Sequence, residues 1–261
     1  MGNGRERAPG APRPRHAYAH PVLHIIDART AEPAPAAPVR RGPTRVEAHV
    51  PGRDTTGLRV LLVADLLIRA LELDGTPAWA VLSGPADDED GARLRADAAA
   101  LGVRPFESGG AGSGPGTGQA VHVVREGHAA SRGTTLAVAP ADPAAPDLAD
   151  PDALRLALLS HHHHTRVELG ASALDEARDT LARWRRAVAR WARQPSRPVP
   201  GEVRDRLRDA WEDDLDAPGV LRVLRRVEDD PDLPDGVRFE TYAYADRFLG
   251  LHLARDVGAP E

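Results

Sequence analysis

Four consecutive histidines, His161 to His164, stand inside the stretch ALRLALLSHHHHTRVELG. Imidazole is the side chain that both ligates zinc-class metals and carries protons near neutral pH. A regular backbone limits what the four can do together. On a helix they fan through about 300° of arc, and on a strand they alternate between faces, so at most two should converge on one ion. They are therefore expected to be polar residues at a helix end near a cleft, and zinc is not expected there. His16, His20 and His24 are spaced by four, but Pro21 breaks that register as a helix. The glycine-rich SGGAGSGPGTGQ, residues 108 to 119, suggests a phosphate cradle, yet no GK[ST] follows and the strand-like AVHVVRE comes next. A flexible loop is the expectation for that segment.

Composition removes further chemistry. All 34 basic residues are arginine, and neither lysine nor cysteine occurs in the 261 residues. A Walker lysine, a Schiff base, thiolate zinc ligands, a cysteine nucleophile and disulfides are excluded, whereas arginine can still clamp anions. The net charge of −5 gives no global pull toward nucleic acid or an anionic membrane. No apolar run approaches the ~20 residues that span a bilayer, and the basic N-terminus has no apolar h-region. A soluble cytoplasmic protein is expected. The Ala, Arg, Gly and Pro content resembles that of proteins from GC-rich bacterial genomes.

The elements that must position any site follow from periodicity. Residues 1 to 20 are expected to form a disordered tail. VLHIID (22 to 27) and RVEAHV (45 to 50) read as strands, the latter alternating like a half-buried one. LRVLLVADLLIRALEL (58 to 73) reads as a broadly buried helix, AWAVLS (78 to 83) as a buried strand and GARLRADAAALG (91 to 102) as a second helix. Strands follow at 120 to 126 and 134 to 140. This alternation predicts a parallel sheet over residues 21 to 150, with a Pro/Asp-rich linker at its end. Residues 151 to 256 should form a helical bundle. Its longest helix, 172 to 193, should open with Ser172 and Asp175 as a capping box and carry a seam of Leu174, Ala177, Leu181, Trp184, Val188 and Trp191. Further helices are expected at 202 to 212, 218 to 228 and 239 to 251.

Several of these segments resemble a known family. DALRLALLSHHHHTRVELGASALDEARDTLARWRRAV, RDAWEDDLDAPGVLRVL and ADRFLGLHLARDVG are similar to the C-terminal helical region of cysteinyl-tRNA synthetases. They are similar also to the related actinobacterial ligase that joins cysteine to glucosaminyl-inositol in mycothiol synthesis. LHIIDARTAEPAPAAPVRRGPTRVEAHVPG and LLVADLLIRALELDGTPAWAV resemble the family's opening strands and first crossover helix. The resemblance implies a Rossmann-like α/β domain of the class I synthetase type followed by a helical bundle. It also implies ATP as a cosubstrate, a His-x-Gly-His element, a lysine loop and a cysteine-bearing zinc site.

In this chain the His-x-Gly-His positions fall on Asp54, Thr55, Thr56 and Gly57. An acid there opposes phosphate unless a metal intervenes, although the helix N-terminus and the threonine hydroxyls suit a small anion or nucleoside. The expected zinc cysteine falls near Val50. Arg132 stands in the region of the lysine loop, and an acidic turn survives as SGPADDED, making Ser83, Asp87 and Asp88 candidates for a polar pocket. With these elements gone, the first expectation is a non-catalytic relative that binds a small ligand or another protein, such as a complete paralogous synthetase. A second is an enzyme of altered chemistry that uses ATP or another nucleotide with Mg²⁺ through Asp54, Thr55, Ser83 and Asp87. A third is RNA binding along Arg183, Arg186, Arg190 and Arg193, but a solvated face is the expected role of that stripe, and tRNA is not expected as a partner.

Overall fold

The computed structural model describes residues 23–37, 43–84, 89–109, 120–128, 130, 132–143 and 148–259. The expected N-terminal tail, Asp87 and Asp88, and most of the glycine-rich loop lie outside the described residues.

The chain opens with a hairpin in which β1 (His24–Asp27) pairs antiparallel with β2 (Glu32–Pro35). The second strand, EPAP, falls in what reads as a mere connection. Its prolines cannot donate to a ladder, which confines such a segment to an edge. A five-stranded parallel sheet follows, built from β3 (Thr44–His49), β4 (Ala78–Ser83), β5 (Glu107–Ser108), β6 (Ala120–Arg125) and β7 (Thr134–Val138) in the spatial order β5-β4-β3-β6-β7. Order reverses between β3 and β6, as in doubly wound nucleotide folds. This is the expected Rossmann-like sheet.

Strand β3 sets the chemistry of both faces. Thr44, Val46 and Ala48 are buried, whereas Arg45, Glu47 and His49 between them are half-buried. The apolar face receives α1 (Thr55–Leu73), in which every residue except Arg69, Glu72 and Leu73 is buried. α2 (Glu89–Ala100) joins the same core through Leu94 and Ala98. α1 is buried so completely because the helical half packs on its other side.

That half consists of α3 (Pro151–Leu159), α4 (Ala171–Trp191), α5 (Gly201–Glu212), α6 (Ala217–Asp229) and α7 (Asp235–Leu249). A short parallel pair, β8 (Ala141–Asp142) with β9 (Val167–Glu168), ties the expected linker to the bundle. The seam of α4 is formed as expected: Ala177, Leu181, Trp184, Val188 and Trp191 are buried. Trp184 and Trp191 meet Tyr242 edge-on with centroids 5.7 and 5.1 Å apart, and the Tyr242 hydroxyl donates to the Leu224 carbonyl. The capping box is not formed. Gly170 is the N-cap and Ser172 lies inside the first turn, because Leu169 is held back toward the sheet by its N–H to the Asp142 carbonyl.

Two buried arginines join the halves. Arg155 of α3 donates to the carbonyls of Leu101 and Leu249, each at 2.8 Å, and to Asp65 of α1 at 3.3 Å. Arg59 of α1 donates to the carbonyls of Ala139, His162 and Thr165. The planar fork of guanidinium suits several acceptors at once. One continuous apolar core runs from the sheet into the bundle, and no described helix is long and apolar enough to cross a membrane.

Candidate functional site

In open parallel sheets, ligands sit beyond the carboxyl ends of the strands where strand order reverses. Here that place is bounded by the ends of β3, β4 and β6 and the start of α1. Asp54 is the N-cap of α1: its backbone is extended and its Oδ1 accepts the Gly57 N–H at 2.7 Å. The same carboxylate is ion-paired with Arg125 at the end of β6. An acid at the head of the helix is thus matched by a cation and by the helix dipole. Thr55 donates its hydroxyl to the Pro143 carbonyl at 2.7 Å, and the Thr56 hydroxyl accepts the Ala141 N–H at 3.1 Å. Both threonines are buried, with their hydroxyls turned toward the β8 segment.

Two glycines allow close backbone approach at the head of α1 and the end of β4. A Cβ on Gly57 would stand 2.8 Å from both the Gly52 carbonyl oxygen and Val50 Cγ1, and one on Gly84 would stand 2.1 Å from the Val50 carbonyl oxygen. Val50 itself is fully buried. Arg132 is exposed ahead of β7.

Ser83 does not join Thr55 and Thr56. Its hydroxyl donates to Glu47, which also pairs with Arg45 at 2.8 Å. Beside this pair, His49 Nε2 and His122 Nδ1 are 2.9 Å apart, and they stand 3.9 and 3.7 Å from the Glu47 carboxylate. Two facing ring nitrogens bond only when one holds a proton and the other a lone pair, so both rings are not charged at those atoms. Desolvation, opposed by the charge of Glu47, lowers both imidazoles below their ordinary range. The 2.9 Å contact lets a proton pass between His49 and His122, beside the carboxylate of Glu47.

The sequence puts Asp54 to Gly57 at the head of the helix, and the structure draws Thr55 to Gly57 into its first turn with Asp54 as the cap. Sequence reasoning missed Arg125, Glu47, His49 and His122. The alternation of TRVEAH does put Arg45, Glu47 and His49 on one face, but only the strand order sets His122 next to them. His161 to His164 occupy the bend and turn that leave α3.

No family model matches the chain. Among curated proteins it is 47% identical over 109 residues to the L-cysteine:1D-myo-inositol 2-amino-2-deoxy-alpha-D-glucopyranoside ligase of Acidothermus cellulolyticus, a match covering 40% of this chain and 25% of that protein. It is 55% identical over 76 residues to the ligase of the same name from Parafrankia sp., covering 29% of this chain and 16% of that protein. With the one from Streptosporangium roseum it is 41% identical over 113 residues, covering 40% and 26%. The match thus takes in only about a quarter or less of each relative's length. Over the matched segments, the chain is a homologue of these mycothiol-type cysteine ligases.

Proposed function

We propose that this chain is a non-catalytic homologue of the cysteine ligases, a nucleotide-fold scaffold that binds a partner protein and does not form cysteinyl-adenylate. The observation that carries the reading is the Asp54 carboxylate seated on the N-terminus of α1 and paired with Arg125. An anionic cosubstrate at a helix head uses such N–H groups, and the chain's own anion already takes that of Gly57. What speaks against ATP there is the Asp54 carboxylate at the helix head together with threonine hydroxyls already engaged with the β8 segment. The cysteine-bearing zinc site implied by the resemblance is not formed at Val50, whose side chain is buried and offers no donor atom.

The partner that best suits a retained scaffold is a complete cysteine ligase or synthetase paralogue. RNA suits it less well, because Arg183 of the α4 stripe holds Glu228 at 3.0 Å and Arg190 lies over the Trp191 ring. The test is ATP–pyrophosphate exchange with cysteine, together with calorimetric titration of Mg·ATP and co-purification with a full-length cysteine ligase. The expected result is no exchange, no nucleotide heat and a stable complex. Formation of cysteinyl-AMP would refute the proposal. The Ser83–Glu47 bond beside His49 and His122 favours one second reading, an altered transfer reaction in the same crevice; nucleotide turnover abolished by Glu47→Gln would select it.

A further inference from the structure

We propose that His162, His163, His164 and Asp214 form a binding site for a zinc-class divalent cation. The site differs from the crevice just described and does not depend on how that crevice is read. It also departs from the expectation that at most two of the four histidines converge. That expectation assumed a regular backbone, whereas residues 161 to 165 form a bend and a turn closed by the Thr165 N–H on the His162 carbonyl at 2.9 Å. Arg59 reaches from α1 to donate to the carbonyls of His162 and Thr165, both at 2.8 Å, and so holds the turn in place.

On that turn three successive rings gather. The centroid of His162 lies 4.4 Å from that of His163 and 4.0 Å from that of His164, and those of His163 and His164 are 5.5 Å apart. Asp214 approaches from the turn between α5 and α6, where it and Leu215 both hold left-handed backbone, at φ 51° and 58°. Neither is glycine, so the surrounding structure must hold them there. One Asp214 oxygen accepts the Ile26 N–H at 2.8 Å. The other stands 3.6 Å from His163 Nε2 and 3.7 Å from His164 Nδ1. One ligand atom from each of the four residues can be chosen so that all lie within 4.8 Å of one another. Bonds of about 2.0–2.1 Å to a tetrahedral ion place ligand atoms about 3.3 Å apart, so the two closest pairs need only draw in by a few tenths of an ångström.

A second observation points to a ligand. The Nδ1 atoms of His162 and His163 are buried with no hydrogen-bond partner, and His163 is only 7% exposed. Buried polar atoms almost always find a partner, and an ion supplies one to His162 Nδ1, whereas His163 would bind through the Nε2 that faces Asp214. The Glu47, His49 and His122 group lacks this feature, because its ring nitrogens meet each other and its carboxylate is held by Arg45 and Ser83. Three imidazoles and one carboxylate select zinc, cobalt or nickel over magnesium or calcium, which take all-oxygen shells. The hydrogen bond from Ile26 to Asp214 is the outer support that ligating carboxylates use. A bound ion would fasten the turn after α3 to the turn before α6, and through Ile26 to β1.

The test uses the full chain without an added histidine tag, stripped with EDTA and titrated with Zn²⁺ alone by calorimetry and with Co²⁺ alone by visible absorption. The expected results are one equivalent bound, ligand-field absorption typical of four-coordinate cobalt, and a rise in Tm that Mg²⁺ does not produce. Asp214→Asn should abolish binding. Should that variant not fold, His164→Ala, whose side chain is 63% exposed, should weaken Zn²⁺ at least tenfold, while Glu47→Gln leaves it unchanged. Absence of binding, affinity within twofold of the parent in His164→Ala, or an equal loss in Glu47→Gln would overturn the proposal.

Discussion

Replacing Asp54 by alanine tests the central claim that the chain supplies its own anion to the α1 N-terminus. Two contributions are lost. Removing an N-cap carboxylate destabilises by about 0.5–2 kcal/mol, and the bond at stake is the 2.7 Å contact from the Gly57 N–H. The Arg125 pair is partly exposed, with 21% and 30% of the two side chains accessible, and contributes up to about 1 kcal/mol. Together these amount to about 0.5–3 kcal/mol, and at about 2–4 °C per kcal/mol for chains of this size Tm should fall by roughly 1–12 °C. The variant should also gain what the parent lacks: the freed Gly57 N–H and Arg125 form a site for a tetrahedral anion. Sulfate at fifty times its Kd would return about 2.3 kcal/mol, most of the loss. The assay is thermal unfolding of both proteins in sodium chloride and in sodium sulfate at matched ionic strength. Sulfate stabilises most proteins by exclusion, so the readout is the difference between the two. A loss below about 0.5 kcal/mol, or equal gains in sulfate for parent and variant, would refute the reasoning.

Asp65→Asn should cost about 3–5 kcal/mol, because Arg155, only 1% exposed, would keep its buried charge after losing the carboxylate it is paired with; a loss below about 1 kcal/mol in urea unfolding would contradict this. Burial alone would raise the Asp65 carboxyl, but the charges of Arg69 and Arg155 and hydrogen bonds from Arg104 and Arg69 outweigh it, so the folded-state value is lowered. The unfolded chain therefore binds the proton first as pH falls. The stability this group contributes is complete above its unfolded pKa of about 3.9 and is lost as pH falls from there through the folded value. Urea midpoints measured from pH 6 to pH 3 should decline below about pH 4, and more gently in Asp65→Asn; parallel curves would rule the network out as the cause. Trp184→Phe removes the 2.8 Å indole hydrogen bond to Glu228 and should cost about 1–3 kcal/mol with helix content intact by circular dichroism. Gly84→Ala drives a Cβ to 2.1 Å from the Val50 carbonyl oxygen, and a Tm within 1 °C of the parent would show that β3 and β4 separate more freely than their packing implies.

What the sequence disclosed, and what it withheld, follows the range of the interactions involved. The alternation of TRVEAH and the apolar run of α1 are local, and both elements formed as read, α1 merely starting three residues earlier at Thr55 because Asp54 caps it. The two-residue strands β5, β8 and β9 are too short to show any period. The helix opening at Ala171 was set by a contact to Asp142 and not by the local Ser172 signal. The site obeys the same rule. Asp54 was visible as an acid at a helix head, where it looked misplaced for a phosphate site. Its partner Arg125, 71 residues further on, was not visible, because only the β3–β6 pairing places it there. That partner decides the meaning of the acid: a lone carboxylate in a phosphate site is a defect that a metal could repair, whereas one that caps a helix and holds an arginine is a finished structural element. An anion entering at the head of α1 would have to displace that contact. The proposed non-catalytic reading rests on that arrangement, and formation of cysteinyl-AMP would overturn it.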